Sequence, residues 1–280
     1  IDGAQKLFPF DVDEVQALSL EYPDKKLLLT KDLSGEWILN ENPPAAADTP
    51  TIRAVLSALS VSRINQVVEE NADADDLKTF GLDQPLVTVQ IGLEDGRSLP
   101  AILVGDNTPI GFSAYVKRKE ESSVLLTDAA VRESLKRSPE NYRDRRIFHI
   151  EPGKVAKLEI QKGNQSFALV RGKDGDWNLA APEQGTAKMQ AVSEYLSNLV
   201  SLRANKFADH KPTNLKKYQL DKPILSISLE NSAAEKLGTL LIGKNAQVFA
   251  KRVGNPTVYT IDARSYDRIN KSVDDFMDRG

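Results

Sequence analysis

The feature that most constrains this chain is an internal duplication. The run Phe80-Gly81-Leu82-Asp83-Gln84-Pro85 recurs as Tyr218-Gln219-Leu220-Asp221-Lys222-Pro223, 138 positions later. After each proline, apolar residues alternate with polar ones, in 87–91 and in 225–229. Such alternation is typical of a strand with one buried face, and a proline pushes the residue before it out of the helical region. We therefore predict that a short helix ends and an antiparallel strand begins at each site.

The duplication extends over nearly the whole chain. Both tryptophans follow a Gly-acid turn, in Gly35-Glu36-Trp37 and Gly175-Asp176-Trp177. Two amphipathic helices carry apolar residues at helical spacing, and later strand motifs match after short deletions. The matched sets are Ile52, Val55, Leu56 and Leu59 with Val192, Tyr195, Leu196 and Leu199; Ile102–Gly105 with Leu240–Gly243; and Tyr115–Arg118 with Phe249–Arg252. Asp48-Thr49-Pro50 is a typical helix start, with a capping residue and an early proline.

Each copy predicts the order β-β-β-α-β-short helix-β-β-β-β-α. Strands that follow one another through short turns favour an antiparallel sheet with helices packed on it, so we predict an α+β fold in two tandem copies. The predicted boundaries are residues 1–138 for the first copy, a solvated linker at 139–146, and residues 147–280 for the second copy.

Composition excludes several classes of chemistry. The chain of 280 residues contains no cysteine, which removes disulfides, thiolate catalysis and cysteine metal sites. The net charge of −3 gives no support for a nucleic-acid ligand. No run of about 18 apolar residues is present, and the N-terminus lacks the anatomy of a signal peptide, so we expect a truncated start.

Residues shared by both copies favour structural roles over catalytic ones. Trp37 and Trp177 could stack on a sugar, but their recurrence favours packing against the sheet of their own copy. Asp83 and Asp221 could be catalytic carboxylates, but in Leu-Asp-x-Pro an aspartate typically bonds the backbone of its turn. Asp128 and Asp262 precede the closing helices, and we expect them to act as caps. Gln219 stands where the first copy has Gly81, so a left-handed turn should be required less strictly there.

Three polar clusters remain as candidates for binding. The acidic run Glu69–Asp76 lacks the glycine and distal glutamate of an EF-hand, and it favours a solvated loop that caps a short helix. His149 and His210 have no ligand partner at metal spacing, although a Ser-His-Asp triad needs no sequence proximity. The basic residues Lys136, Arg137, Arg143, Arg145 and Arg146 could contact phosphate groups or an acidic partner, but Glu140 and Asp144 dilute them.

The order of these motifs resembles the DUF4340 family, a bacterial domain of unknown function. The likeness runs through both copies: a Leu-Phe strand near the N-terminus, Gly-x-Trp-x-Leu, Asp-Thr-Pro, Gly-Leu-Asp-x-Pro, Leu-Val-Gly and Ala-Tyr-Val-Lys. The resemblance implies a domain that follows one membrane-spanning helix and is often encoded beside an ABC-type transport system linked to gliding motility. It supplies no catalytic residues.

We therefore hypothesise a non-enzymatic, membrane-anchored protein of the bacterial envelope, on the extracytoplasmic side, with the anchor missing from this chain. Its partners would be ABC-type transporter subunits, and it would need no cofactor, metal or catalytic residue. The residues alone leave a cytoplasmic location open. The alternative is a module that binds glycan or another envelope ligand in a groove between the copies, using exposed aromatics such as Tyr115 or Phe249. A third hypothesis is a hydrolase whose carboxylate or Ser/His site the fold assembles.

Overall fold

The computed structural model describes residues 5–42 and 44–277. The chain divides into two compact units, Ile1–Asp144 and Arg145–Gly280, which we call the first and second modules. The division falls inside the segment 139–146 for which the sequence predicts a linker.

The first module is a mainly antiparallel sheet with helices packed on it. Its described residues form nine strands and three α-helices. They are β1 (Val15–Glu21), β2 (Lys26–Lys31), β3 (Trp37–Leu39), β4 (Ala45–Ala46), α1 (Thr49–Ser60), β5 (Gln66–Glu69), α2 (Ala74–Thr79), β6 (Val87–Leu93), β7 (Ile102–Asn107), β8 (Ser113–Arg118), β9 (Val124–Asp128) and α3 (Ala129–Leu135). Every strand pair is antiparallel, in the spatial order β4-β3-β2-β1-β6-β7-β8-β9-β5.

The second module repeats this plan within the part of it that the structure describes. Its elements are β10 (Lys157–Lys162), β11 (Gln165–Arg171), β12 (Trp177–Ala181), β13 (Gly185–Thr186), α4 (Met189–Val200), β14 (Lys206–Asp209), β15 (Leu225–Glu230), β16 (Lys236–Lys244), β17 (Val248–Arg252), β18 (Val258–Ile261), α5 (Ala263–Ile269) and α6 (Val273–Phe276). The order β13-β12-β11-β10-β15-β16-β17-β18-β14 equals that of the first sheet. The α+β prediction is therefore confirmed at the level of two antiparallel sheets with helices.

The helix α1 shows why the first module closes over one face of its sheet. Asp48 accepts a hydrogen bond from the Thr51 N–H at 3.1 Å, as predicted for a cap, and Pro50 fits the first turn. The apolar stripe is fully buried and joins the core formed by the sheet; its members are Ile52, Val55, Leu56 and Leu59. Burial of each such side chain stabilises the fold by about 1.5–3 kcal/mol.

The predicted Leu-Phe strand near the N-terminus is not a strand. Leu7 and Phe8 lie in a bend just before Pro9, which has no N–H to donate to a ladder. The segment makes an isolated bridge between Lys6 and Arg63, and backbone bonds from the Leu7 N–H to the Ser62 carbonyl at 3.1 Å and from the Ile64 N–H to the Gln5 carbonyl at 2.8 Å. Both apolar side chains are nevertheless buried in the core of the first module, although their backbone is not part of a strand.

The segment predicted as a solvated linker is partly buried. Residues 139–142 form a 3₁₀ helix, and the Tyr142 side chain is fully buried in the first module. The Tyr142 carbonyl accepts from the Asp48 N–H at 2.8 Å, and the Asp144 N–H donates to the Ala46 carbonyl at 2.9 Å. These bonds cover the edge strand β4, so the segment completes the sheet. The expectation of solvation is wrong here because an open strand edge needs partners.

Two smaller differences concern short elements. The two-residue strands β4 and β13 were not predicted, because pairs this short carry no periodicity. The short helix in the second module is a 3₁₀ helix, Leu215–Tyr218, whereas its counterpart α2 is an α-helix.

Among the described residues, no helix combines the length and apolar character that a membrane span requires.

Candidate functional site

The shared tryptophans and aspartates are structural or solvent-exposed. Trp37 and Trp177 are each 4% exposed, so the prediction that they pack against their own sheets is confirmed. Asp83 and Asp221 are exposed, and in the described part of the chain neither carboxylate makes a hydrogen bond. The Asp83 N–H instead donates to the Leu77 carbonyl at 3.3 Å. The turn is therefore held by its backbone, and the predicted side-chain bond is wrong.

The two aspartates before the closing helices differ. Asp262 accepts from the Ser265 N–H at 2.8 Å, and this bond holds the pKa of its carboxyl below the ordinary value. Asp128 makes no capping bond; its carboxylate accepts from the Asn65 side-chain amide at 3.1 Å. The capping prediction is therefore confirmed for Asp262 and wrong for Asp128.

The acidic run forms a helix cap. Asp73 accepts from the N–H groups of Asp75 and Asp76 in a capping box that starts α2, and the bond from the Asp76 N–H is the main cause of its lowered pKa. Within the described ranges, no cluster of three His, Cys, Asp or Glu side chains could hold a metal ion. The His210 ring lies 5.6 Å from that of Phe207.

Several side chains of the basic run already make bonds within the fold. Arg143 forms an ion pair with Glu41, and only 10% of its side chain is exposed. Arg137 donates to the Ser134 carbonyl at 2.9 Å, and Arg145 donates to the Asn205 carbonyl at 3.5 Å. These residues therefore do not form one open basic surface.

The aromatics suggested for ligand stacking pack within their own modules. The Tyr115 ring lies 4.6 Å from that of Phe80, and the Phe249 ring lies 5.1 Å from that of Tyr218. Phe249 is buried with Tyr218 in a small second core, so the expectation that it is exposed is wrong. Each pair fixes the short helix against the outer face of the sheet.

The largest difference in loop length between the matched parts of the two modules lies at one corner, where β7 turns into β8 and β16 turns into β17. Between the matching positions Asn107 and Tyr115, the first module has four more residues than the second has between Asn245 and Phe249. We call these the first-module corner and the second-module corner. Residues confined to one copy are free of the duplicated fold's common demands, so this corner is where a module-specific function can lie.

The first-module corner presents two apolar side chains to solvent. Ile110 is 79% exposed and Phe112 is 80% exposed. The turn that carries them is ordered by backbone bonds, from the Thr108 N–H to the Ser113 carbonyl and from the Gly111 N–H to the Thr108 carbonyl, both 2.8 Å. The Phe112 carbonyl also accepts from the Ala129 N–H, at the start of α3. The two side chains therefore project from a well-bonded loop.

The second-module corner surrounds an open pocket of about 330 Å³. Its buried wall includes Val248, Ile261 and Tyr266, and its rim is polar and exposed. The remaining lining residues are Asn205, Lys206, Lys244, Asn245, Ala246, Gln247, Thr260, Ala263 and Asp267. Burial raises the pKa of Tyr266, whose ring lies 4.7 Å from the Lys244 ammonium.

The charges at the two corners are arranged differently. In the first module, Arg132 donates to the Gly105 carbonyl at 2.8 Å and lies 3.5 Å from the Asp106 carboxylate. In the second module, Lys244 stands at the position of Asp106 and Tyr266 at that of Arg132, so this ion pair does not exist. The corner was missed as a site by sequence reasoning, although the four-residue length difference marked it.

Fold and site together define a tandem-repeat α+β protein with two nine-stranded antiparallel sheets in its described residues and with corners that differ between the repeats. The chain belongs to the family described as "Domain of unknown function (DUF4340)", which it matches over residues 37–213 and again over 177–280. Both matches begin at the tryptophan of the Gly-acid-Trp turn, Trp37 or Trp177. Comparison with curated proteins and with solved structures finds no match.

Proposed function

We propose that this chain is a non-enzymatic binding module that acts as an accessory, scaffolding component of an ABC-type transport assembly in the bacterial envelope. The observation that carries the binding role is the first-module corner, where Ile110 and Phe112 are exposed on a hydrogen-bonded loop. Large apolar side chains held in this way are typical anchors for a protein partner. The association with transport and the extracytoplasmic location rest on the family resemblance.

The electrostatics of the corner favour a protein partner over a lipid surface. Residues 105–115 contain one charged side chain, Asp106, and no lysine or arginine. Loops that bind anionic membranes combine apolar side chains with cations, because the headgroups are negative. A loop without cations fits an apolar pocket on a protein better.

The assignment of a non-enzymatic role is supported by how the perturbed groups are used. The carboxyls with lowered pKa values mostly cap helices or close turns, as Asp73, Asp262 and Asp275 do. The hydroxyls of Tyr22 and Tyr195 donate to backbone carbonyls. Glycan binding through Tyr115 or Phe249 loses its support, because both rings pack inside their own module.

The test is site-specific photo-crosslinking in cells with the full protein. A photoreactive phenylalanine analogue at position 112 should capture transporter subunits, identified by mass spectrometry. The matched control is the same analogue at position 33, because Leu33 is even more exposed, at 109%, on a turn of the same module. Capture from both positions, or from neither, would contradict a specific anchor at the corner.

A substitution series sharpens the result. Phe112→Ser should reduce capture of the partner by about 10- to 100-fold, because burying a large apolar side chain contributes about 1.5–3 kcal/mol. Leu33→Ser should leave capture unchanged. An unchanged capture by Phe112→Ser would remove the corner from the interface and with it the observation on which this proposal depends.

A further inference from the structure

We propose that the second-module corner is a binding site for a small organic anion. The site is distinct from the apolar loop of the first module, so this inference does not depend on the proposed protein partner. The pocket holds about 330 Å³, near the lower end of the range in which small ligands bind. A molecule of roughly monosaccharide size would fit.

The charge of the pocket is positive. Lys206 and Lys244 both line it, and neither has an ion-pair partner among the residues that the structure describes. Asp267 is the acidic side chain of the lining, so the two ammonium groups exceed it by one charge. The contact of Lys244 with the Tyr266 ring, 4.7 Å from its centroid, holds this ammonium at the buried wall.

Hydrogen-bond donors accompany the cations. The Asn245 carboxamide oxygen accepts from the Gln247 N–H at 3.1 Å, so the amino group is the part of this side chain left for a ligand. Asn205 and Gln247 add further carboxamides to the rim. An oxyanion accepts from several donors of this kind at once, and such charge-assisted bonds are stronger than neutral ones.

A second observation points to a missing polar partner. Thr260 lines the pocket, and its buried hydroxyl has no hydrogen-bond partner in the described structure. Leaving a buried hydroxyl unpaired costs about 1–3 kcal/mol, so native proteins rarely retain one without a use. Rotation of the Thr260 side chain toward the pocket would let a polar ligand supply the partner that this hydroxyl lacks.

The first module serves as an internal comparison. Its matching positions carry Gln66 for Lys206, Asp106 for Lys244 and Arg132 for Tyr266. There the guanidinium is neutralised within the module, by Asp106 at 3.5 Å and Glu133 at 4.0 Å. The same fold therefore forms without the two lysines, and their presence in the second module is not a requirement of the fold.

The two lysine side chains can bind an oxyanion, but they do not select between a planar carboxylate and a tetrahedral phosphate. Lysine ammonium groups act as point charges, unlike the planar fork of arginine that matches carboxylate bidentately. A phosphate monoester and a carboxylate both satisfy these donors. The apolar wall of Val248 and Ile261 would contact the uncharged part of the ligand.

The experiment is a ¹H–¹⁵N NMR titration of the intact chain with glycerol 3-phosphate, with succinate and with uncharged glycerol. We expect saturable shifts at the amides of residues 244–247 with at least one of the two anions, and no shifts with glycerol. The anion that binds more tightly distinguishes phosphate from carboxylate as the recognised group. Raising the salt concentration should weaken binding, because the lysines are exposed.

Variants make the inference falsifiable. Lys206→Gln and Lys244→Gln should each weaken binding about 10- to 100-fold, since each removes one charge-assisted hydrogen bond to the anion. Lys244→Asp, which copies Asp106 of the first module, should abolish it. Lys236→Gln is the matched control, because this exposed lysine lies on the same strand outside the pocket. Absence of saturation with both anions up to tens of millimolar, or equal binding by Lys244→Asp, would overturn the proposal.

Discussion

The two modules stabilise the end of the closing helix with tyrosines from different places. The last residue of α3 is Leu135 and that of α5 is Ile269, and the carbonyl of each accepts from a tyrosine hydroxyl at 2.9 Å. In the first module the donor is Tyr22, just after β1; in the second it is Tyr195, within α4. The last carbonyls of a helix have no partner inside the helix, so each module supplies one from outside.

This difference shows what a duplicated fold preserves. Lys162 stands at the position of Tyr22 in the second module, and Val55 stands at the position of Tyr195 in the first. Neither tyrosine is shared, yet the hydrogen bond is shared. Recurrence of a residue therefore identifies one kind of structural role, and it misses roles that the modules satisfy with different residues.

The largest expected effect tests a feature that both modules do share. Gly105 and Gly243 lie where a Cβ would overlap the carbonyl oxygens of Phe80 and Tyr218. Gly105→Ala and Gly243→Ala should each lower the free energy of unfolding by about 3 kcal/mol, because backbone atoms cannot move aside as a flexible side chain can. Urea denaturation gives the overall change, and hydrogen exchange with mass spectrometry assigns it to a module.

Gly153→Ala is the control for both glycine variants. No atom lies within 4 Å of a Cβ at Gly153, so its stability should change by no more than about 0.5 kcal/mol. If Gly105→Ala is tolerated while Gly243→Ala is not, the close approach of the short helix to the sheet is a requirement of the second module alone.

The next effect separates the two tyrosines. Tyr195→Phe should destabilise the second module by about 2 kcal/mol, because it leaves the buried Ile269 carbonyl without a donor. Tyr22→Phe should cost about 1 kcal/mol if the Tyr142 hydroxyl, 3.4 Å from that of Tyr22, turns to donate to the Leu135 carbonyl in its place. Module-resolved hydrogen exchange measures both, and equal losses would contradict a compensating role for Tyr142.

The contribution of Tyr195 to the stability of the second module can also be measured from the dependence of unfolding on alkaline pH. Burial raises the pKa of Tyr195 above its ordinary value near 10. Its contribution to stability is therefore complete below about pH 10 and declines above it, as the unfolded chain ionises first. Tyr195→Phe should make the loss of stability above pH 10 shallower. A slope identical to that of the unsubstituted protein would show that Tyr195 does not titrate on unfolding.

Much of the fold could be predicted because its signals are local and occur twice. The alternation after Pro85 and Pro223, the stripe of α1 and the Asp48 cap are all readable within a few residues. The bond from Tyr22 to Leu135 joins residues 113 positions apart, and no periodicity marks it. The burial of Tyr142 was missed for the same reason, since its charged neighbours suggested a solvated segment.

The corners could be located in the sequence but not interpreted. The four-residue difference placed a module-specific feature after Asn107 and Asn245. Whether Lys206 lines the same pocket as Lys244 depends on how β14 joins its sheet. That pairing brings together residues from distant parts of the chain, as in the Lys206–Thr260 pair of β14 and β18.

The smallest expected effect concerns the left-handed turn that follows the short helix. Gln219 has φ 55° and Gly81 has φ 64°, so the turn is retained where the sequence suggested a weaker requirement. Gln219→Gly should stabilise the second module by about 0.5 kcal/mol: relief of left-handed strain is worth about 1–2 kcal/mol, and the greater freedom of glycine in the unfolded chain offsets part of it.

The reverse exchange should not be symmetrical. A Cβ at Gly81 would lie 2.5 Å from the Asp106 carboxylate, so Gly81→Gln should destabilise the first module by about 2 kcal/mol. Adding Asp106→Ala should restore part of that loss, because Lys244 at the matching position leaves room for Gln219. Urea denaturation of the three variants measures these changes. Destabilisation by Gln219→Gly would mean that the bond from the side-chain carboxamide nitrogen of Gln219 to the Lys216 carbonyl, at 3.2 Å, contributes more than the strain costs.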